Sequence, residues 1–125
     1  MYLSTECTIF CSEDTELSIK MSENGKRFLT MQLGQNSNAY ALVSVDALDI
    51  LHLLNQEILI DELVSKTEEK MVAINTGGEY HVLKECSSFE ELPYVDTNSW
   101  LDDRYIDDYK ELLERELQNY RGNTE

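Results

Sequence analysis

Basic residues are scarce in this chain. Ten Lys and Arg stand against 25 Asp and Glu in 125 residues, a formal net charge of −15. A folded chain of this size exposes roughly 7,000 Å², so the negative field is strong. Binding to DNA or RNA through phosphates needs Lys and Arg, and this composition excludes it as a general mode. An anionic membrane surface is disfavoured for the same reason. No apolar run is long enough to span a bilayer, because Asp, His, Asn or Glu interrupts each within a few residues. Met1-Tyr2-Leu3-Ser4-Thr5-Glu6 has neither the basic start nor the apolar stretch of a signal peptide. Cysteine occurs three times, an odd number with no Cys-x-x-Cys pair. Reduced thiols and a cytoplasmic location are the expectation. No Pro-, Gly- or Ser-rich linker, repeat or low-complexity run divides the chain, so one domain over 1–125 is expected.

What is present is apolar enough to fold: 42% of the residues are hydrophobic. The first third reads as a β-meander. Leu3–Cys11 alternates and carries Thr, Ile and Phe. Glu16–Met21 sets Leu17, Ile19 and Met21 against Glu16, Ser18 and Lys20, a clear period of two. Asn24-Gly25 predicts a tight primed turn into Lys26–Leu33. Ala39–Val45 is the fourth strand. Ser44 is the expected cap of a helix over Ala47, Leu48, Leu51 and Leu54, with Asp46 in its first turn. Asn55-Gln56 breaks it. Ile58–Val64 has both strand and helix character and is read as a second short helix. Lys70–Asn75 and Glu79–Cys86 form a hairpin turning on Thr76-Gly77-Gly78.

Ser88-Phe89-Glu90-Glu91 carries a capping signature and predicts one helical turn before Pro93. A last helix should open at Ser99 and run to about Arg121, where Gly122 ends it. The fold class is therefore α+β: a mostly antiparallel sheet of about six strands with two or three helices, including a long acidic C-terminal helix.

The acid increases along the chain, from net −2 over residues 1–45 to −6 over 46–86 and −7 over 87–125. On the last helix, Ile106, Tyr109, Leu113, Leu117 and Tyr120 recur at spacings of three and four, and Leu112 and Tyr105 widen this apolar stripe. Opposite it lie Asp103, Asp107, Glu111 and Glu114, flanked by Asp102 and Asp108. Neighbours in that row are about 5–6 Å apart along the axis. Such a face keeps a small protein soluble. It also imitates a track of phosphates and can dock on the basic site of a partner. Tyr94 and Tyr105, set among these acids, are candidate contact residues, because Tyr favours buried interface centres.

No motif names a reaction. Glu68-Glu69-Lys70 contains the Glu-x-Lys ending of a metal-dependent nuclease motif, without an assignable upstream acid. Asp96-x-Asn98 opens like a calcium loop, but Leu101 stands where Gly is needed and Asp107 where Glu is needed. Cys7, Cys11 and Cys86 with His81 match no zinc spacing. Cys7 and Cys11, four apart on one strand, are expected to share a face. His52 and His81 have no nucleophile at readable spacing.

In size, acidity and lack of motifs the chain is similar to small cytosolic inhibitors: phage anti-defence proteins, anti-CRISPR proteins among them, and immunity proteins that neutralise nuclease toxins. That likeness implies a non-catalytic acidic binding protein occupying the nucleic-acid-binding surface of a basic partner, with no cofactor, metal or enzymatic activity. The alternative is an accessory subunit that docks through a sheet edge. A third is a small metal-dependent hydrolase. The charge alone sets one expectation: a gel-shift assay with bare DNA at about 0.15 M salt should show no complex, since the Debye length there is only ~8 Å and no basic patch replaces the counterions.

Overall fold

The computed structural model describes residues 1–12, 15–34, 38–90, 92 and 103–122. Six strands form one antiparallel sheet in chain order: β1 (Leu3–Cys11), β2 (Glu16–Ser22), β3 (Arg27–Gln32), β4 (Ala39–Val45), β5 (Lys70–Thr76) and β6 (Glu79–Cys86). Among the described residues three helices accompany it: α1 (Ala47–Leu54) and α2 (Ile60–Lys66) between β4 and β5, and α3 (Asp103–Gly122) after β6. The fold is α+β, and the 58–64 segment resolves as helix from Ile60 onward.

The central strands are buried on both faces. On one, Cys7, Ile9, Leu17, Ile19, Leu29, Met31, Ala41 and Val43 pack under helix residues Ile50, Leu53, Leu63, Ile106, Tyr109 and Leu113. The other face has a core of its own, built from Phe28, Tyr40, Leu42, Met71, Ala73 and Tyr80, with Met1 and Leu3 against it. Among the described residues, no helix contributes to this second core. The sheet covers it by curling until its first strand meets its last: Tyr2 bridges Glu79, and the Tyr80 amide donates to the Met1 carbonyl at 2.8 Å.

The polar set of β2 therefore faces an interior. Ser18 is fully buried and shares a 2.9 Å hydrogen bond with Thr30. The Lys20 ammonium lies 5.5 and 5.8 Å from the ring centres of Tyr80 and Tyr40. It is 3.6 Å from Glu16. Burial opposes its charge, but Tyr80, Glu16 and Tyr40 favour it, and the pKa lies above the ordinary lysine value.

Several local expectations need correction. Ser44 does not cap α1; it is still paired in β4, opposite Phe28, with its amide donating to the Glu69 carbonyl. Asp46 is the cap, and Asp49 returns the bond in a reciprocal box. Leu48 is exposed, and Ile50 and Leu53 take the core positions beside Leu51 and Leu54. The Asn24-Gly25 turn is not a two-residue primed turn. The Gly25 amide donates to the Ser22 carbonyl, and only Gly25 has positive φ, which gives a three-residue loop. The primed geometry belongs to Gly77-Gly78, both at positive φ. No helical turn forms at 88–90; Phe89 instead packs on the helix-side core. The expected start of the last helix at Ser99 lies outside the described residues, as do Asp96, Asn98 and Leu101.

Cys7 and Cys11 do not share a face either. The β1–β2 register slips twice, so Glu6 and Ile9 are extra residues. Cys7 pairs opposite Ile19 on the helix face, whereas Cys11 pairs opposite Glu16 on the other. Each bulge flips the alternation beyond it.

The first bulge has a structural use, because it turns Glu6 toward Arg27. The Arg27 side chain, 8% exposed, contacts Glu6 at 2.6 Å through Nε and Glu116 of α3 at 2.7 Å through Nη2. Tyr109 donates its hydroxyl to Glu6 at 3.1 Å. Arg27 thus ties β3, β1 and α3 together. Its own pKa rises because Glu116 and Glu6 outweigh burial, and the hydrogen bond from Arg27 holds Glu116 below the usual carboxylate range. Replacing Arg27 with Met should cost about 2–4 kcal/mol at neutral pH, as expected when one partner of a buried ionic cluster is lost. A depressed carboxylate pKa contributes stability above the unfolded value of about 4.3 and loses it as pH falls through the folded value. Urea unfolding should therefore show the gap between wild type and Arg27→Met narrowing from pH 7 to pH 3. An unchanged gap would remove the clamp from the account.

Candidate functional site: the outward face of the last helix

Helix α3 carries the acids singled out from the sequence. Six acids (Asp103, Asp107, Asp108, Glu111, Glu114, Glu116) accompany four bases (Arg104, Lys110, Arg115, Arg121), so the segment alone is net −2. The fold sorts these charges. Ile106, Tyr109 and Leu113 are buried and Leu117 is partly so, which fixes the inward face. Asp107, Asp108, Glu111 and Glu114 are all exposed. Of the remaining calls, Tyr94 and Asp102 lie outside the described residues, as does Trp100. Asp103 is the first residue of α3.

Two of the exposed acids have a base on the same helix. Lys110 approaches Asp107, and Arg115 approaches Glu111, each at 3.6 Å. Both carboxylates stay about two-thirds exposed, so these pairs are worth little. Glu116 is spent on Arg27.

Tyr105 and Leu112 do not widen the buried stripe. They are 46% and 47% exposed. At about 100° per residue both sit some 100–120° from Ile106, beyond the arc that a flat sheet can cover. Seven residues apart, they stack on one line of the helix about 10 Å apart. The difference in helical angle separates Leu112 from the buried Leu113. Tyr105 also reaches the Cys7 thiol, where its hydrogen bond partly offsets the rise caused by burial.

Near the C-terminal half of α3 is a groove of about 760 Å³, lined by Lys26, Arg27, Ala47, Leu48, Glu116 and Leu117. The exposed Leu48 is its outer apolar wall. The other chemistry-bearing residues are scattered. His52 lies near Glu57 at 3.7 Å and His81 near Glu79 at 3.9 Å. In the Glu-x-Lys segment, Glu69 pairs with Lys26 while Lys70 turns inward to donate to the Ser87 carbonyl at 2.7 Å. Among the described residues, no three His, Cys, Asp or Glu side chains are grouped to hold a metal. No helix is long and apolar enough to cross a membrane.

Comparison with family models, curated proteins and solved structures finds no match. The surface itself has to carry the functional argument. It combines exposed carboxylates with two exposed apolar side chains on a helix whose inner face is fixed. That arrangement suits docking onto a cationic surface, with charge setting the approach and Tyr105 and Leu112 the close contact.

The thiols differ in kind. Cys7 is fully buried, and burial pushes its pKa up to about 11. Cys11 is exposed and Cys86 is half-buried. An aromatic disulfide reagent at neutral pH should label Cys11 rapidly and Cys7 only on unfolding. Cys7→Ser should cost about 1–2 kcal/mol through a buried hydroxyl, while Cys11→Ser should be neutral. Fast labelling of Cys7 in the folded protein would contradict the burial.

Proposed function

We propose that this chain is a non-catalytic binding protein that inhibits a basic, nucleic-acid-binding partner by covering its nucleic-acid site. The observation behind the reading is the outward side of α3, where Asp107, Asp108, Glu111 and Glu114 are all exposed in a chain of net charge −15, with exposed Tyr105 and Leu112 on the flank beside Asp108. Carboxylates one helical turn apart offer a cationic groove a repeated negative charge, as phosphates do. The field accelerates encounter, and the apolar pair slows release. The class of protein is that of a phage anti-defence or anti-CRISPR-like inhibitor, or of an immunity protein against a nuclease toxin, acting in the cytoplasm.

An accessory subunit docking through a sheet edge is the second reading. It is favoured by β6, where Val82 and Leu83 are exposed at the rim of the sheet.

The test is capture of partners from the native host, followed by affinity measurement against salt. A basic nucleic-acid-binding protein should be captured, displaced by DNA or RNA, and released as salt rises. Reversing Asp103, Asp107, Glu111 and Glu114 to Lys spares Ile106, Tyr109, Leu113 and Leu117, so the fold should survive. Single reversals should cost on the order of 1 kcal/mol or less in binding, and the fourfold change should be clear, mainly through slower association. Tyr105→Ala should instead speed dissociation. A folded fourfold variant that binds with unchanged affinity at low salt would defeat the reading.

A further inference from the structure

The loop between β2 and β3 brings reactive groups together. Asn24-Gly25 is the sole Asn-Gly pair in the chain. Glycine has no Cβ to block the approach of its own backbone nitrogen to the preceding side-chain amide. Glu23, Asn24 and Gly25 are all exposed, and a Cβ built on Gly25 would meet no atom within 4 Å. Water and base therefore reach both residues of the pair.

The loop also holds the carbonyl that such an attack needs. The Ser22 hydroxyl donates to Asn24 Oδ1. The Lys26 amide donates to Ser22 Oγ at 3.1 Å and points at Asn24 Oδ1 at 3.4 Å. Ser22 Oγ is thus an acceptor toward Lys26, which leaves its proton for Asn24. Two donors aimed at one atom of the side-chain amide identify that atom as the oxygen and make Nδ2 the free branch.

We infer that Asn24 is a site of self-modification: the Gly25 backbone nitrogen displaces the side-chain amide, assisted by the Ser22 hydroxyl, and the residue becomes isoaspartate or aspartate. The Gly25 nitrogen first gives up its 3.0 Å hydrogen bond to the Ser22 carbonyl and loses its proton to solvent base. It attacks Asn24 Cγ, and the carbonyl electron pair moves onto Oδ1, where the Ser22 and Lys26 donors already point. Donors placed where charge develops lower the barrier. The pair returns, the Cγ–Nδ2 bond breaks, and ammonia leaves with a proton from water. Water then opens the five-membered imide. Attack at the backbone carbonyl carbon of residue 24 leaves isoaspartate, and attack at Cγ leaves aspartate. One water is consumed and one ammonia released, with no change of oxidation state.

The product adds a carboxylate to a chain already at −15, beside Lys26, which is paired with Glu69. Isoaspartate also lengthens the loop main chain by one carbon. The bond from the Ser22 amide to the Lys26 carbonyl, 2.8 Å, lies outside the altered link, so the β2–β3 register should persist.

Peptide mapping of the folded protein, held at about pH 8 and about 37 °C, tests the inference, since warm alkaline solution exposes thermolabile Asn. Isoaspartate, detected by enzymatic methylation, should accumulate in the peptide spanning Asn24, and Asn24→Ala should carry no such label. Ser22→Ala should slow the conversion about two- to tenfold, the effect of one lost hydrogen bond. Ser22→Thr, which keeps the hydroxyl, should restore the rate. If Ser22→Ala does not fold, Ser22→Cys takes its place, because a thiol is a weak donor. Absence of isoaspartate at Asn24 overturns the inference, as does a folded Ser22→Ala or Ser22→Cys variant that converts as fast as the wild type.

Discussion

A buried arginine has to be neutralised, and much of this fold is arranged around that requirement. Arg27 enters β3 pointing at the helix layer, where an unpaired guanidinium would be costly. Its two counter-charges come from distant parts of the chain, Glu6 on the first strand and Glu116 on the last helix. Glu6 can reach it only because β1 bulges there. Glu116 can reach it only when α3 lies along the sheet with Ile106, Tyr109 and Leu113 inward. Once that rotation is set, the direction of every other side chain on α3 is decided. The exposure of Asp107, Glu111 and Glu114 is thus a consequence of how one cation is satisfied on the opposite side of the helix.

The sheet answers a second constraint. Its central strands carry apolar residues on both faces, but the helices can cover only one. Curling brings Phe28, Tyr40, Leu42, Met71 and Tyr80 against one another and closes Tyr2 onto Glu79. Lys20 is accommodated there by two tyrosine rings and Glu16 rather than by water. The closure is short, consisting of the Tyr2–Glu79 bridge and the bond from the Tyr80 amide to the Met1 carbonyl. Among the described residues, the distal stretch of β6 pairs only with β5.

The two exposed features differ in physics. The α3 face is charged, its ion pairs are weak, and any association through it is governed by long-range field. The β6 edge is nearly neutral and offers backbone hydrogen bonds and two aliphatic side chains. These features lie on elements that the fold positions independently, one by core packing and one by strand order.

The element order was legible from the sequence because hydrophobic period, turn residues and helix breakers are local signals. Strands at Leu3–Cys11, Ala39–Val45 and Glu79–Cys86, the Gly77-Gly78 turn and the stripe Ile106–Tyr109–Leu113 could all be read residue by residue. The acids of the candidate face were legible for the same reason, since they stand opposite that stripe. Tertiary structure decided the rest. The bulge at Ile9 separated Cys7 from Cys11, and nothing local announces a bulge. Ser44 lost the cap of α1 to Asp46 because a strand partner, Phe28, holds it. Tyr105 and Leu112 were left outside because the width of contact between a helix and a sheet is a property of the pair. The sequence determined which charges exist, their spacing and the flank of the helix each occupies; only the fold determined that Glu116 meets Arg27 while Glu114 meets solvent, because the partner comes from a strand 89 residues earlier in the chain.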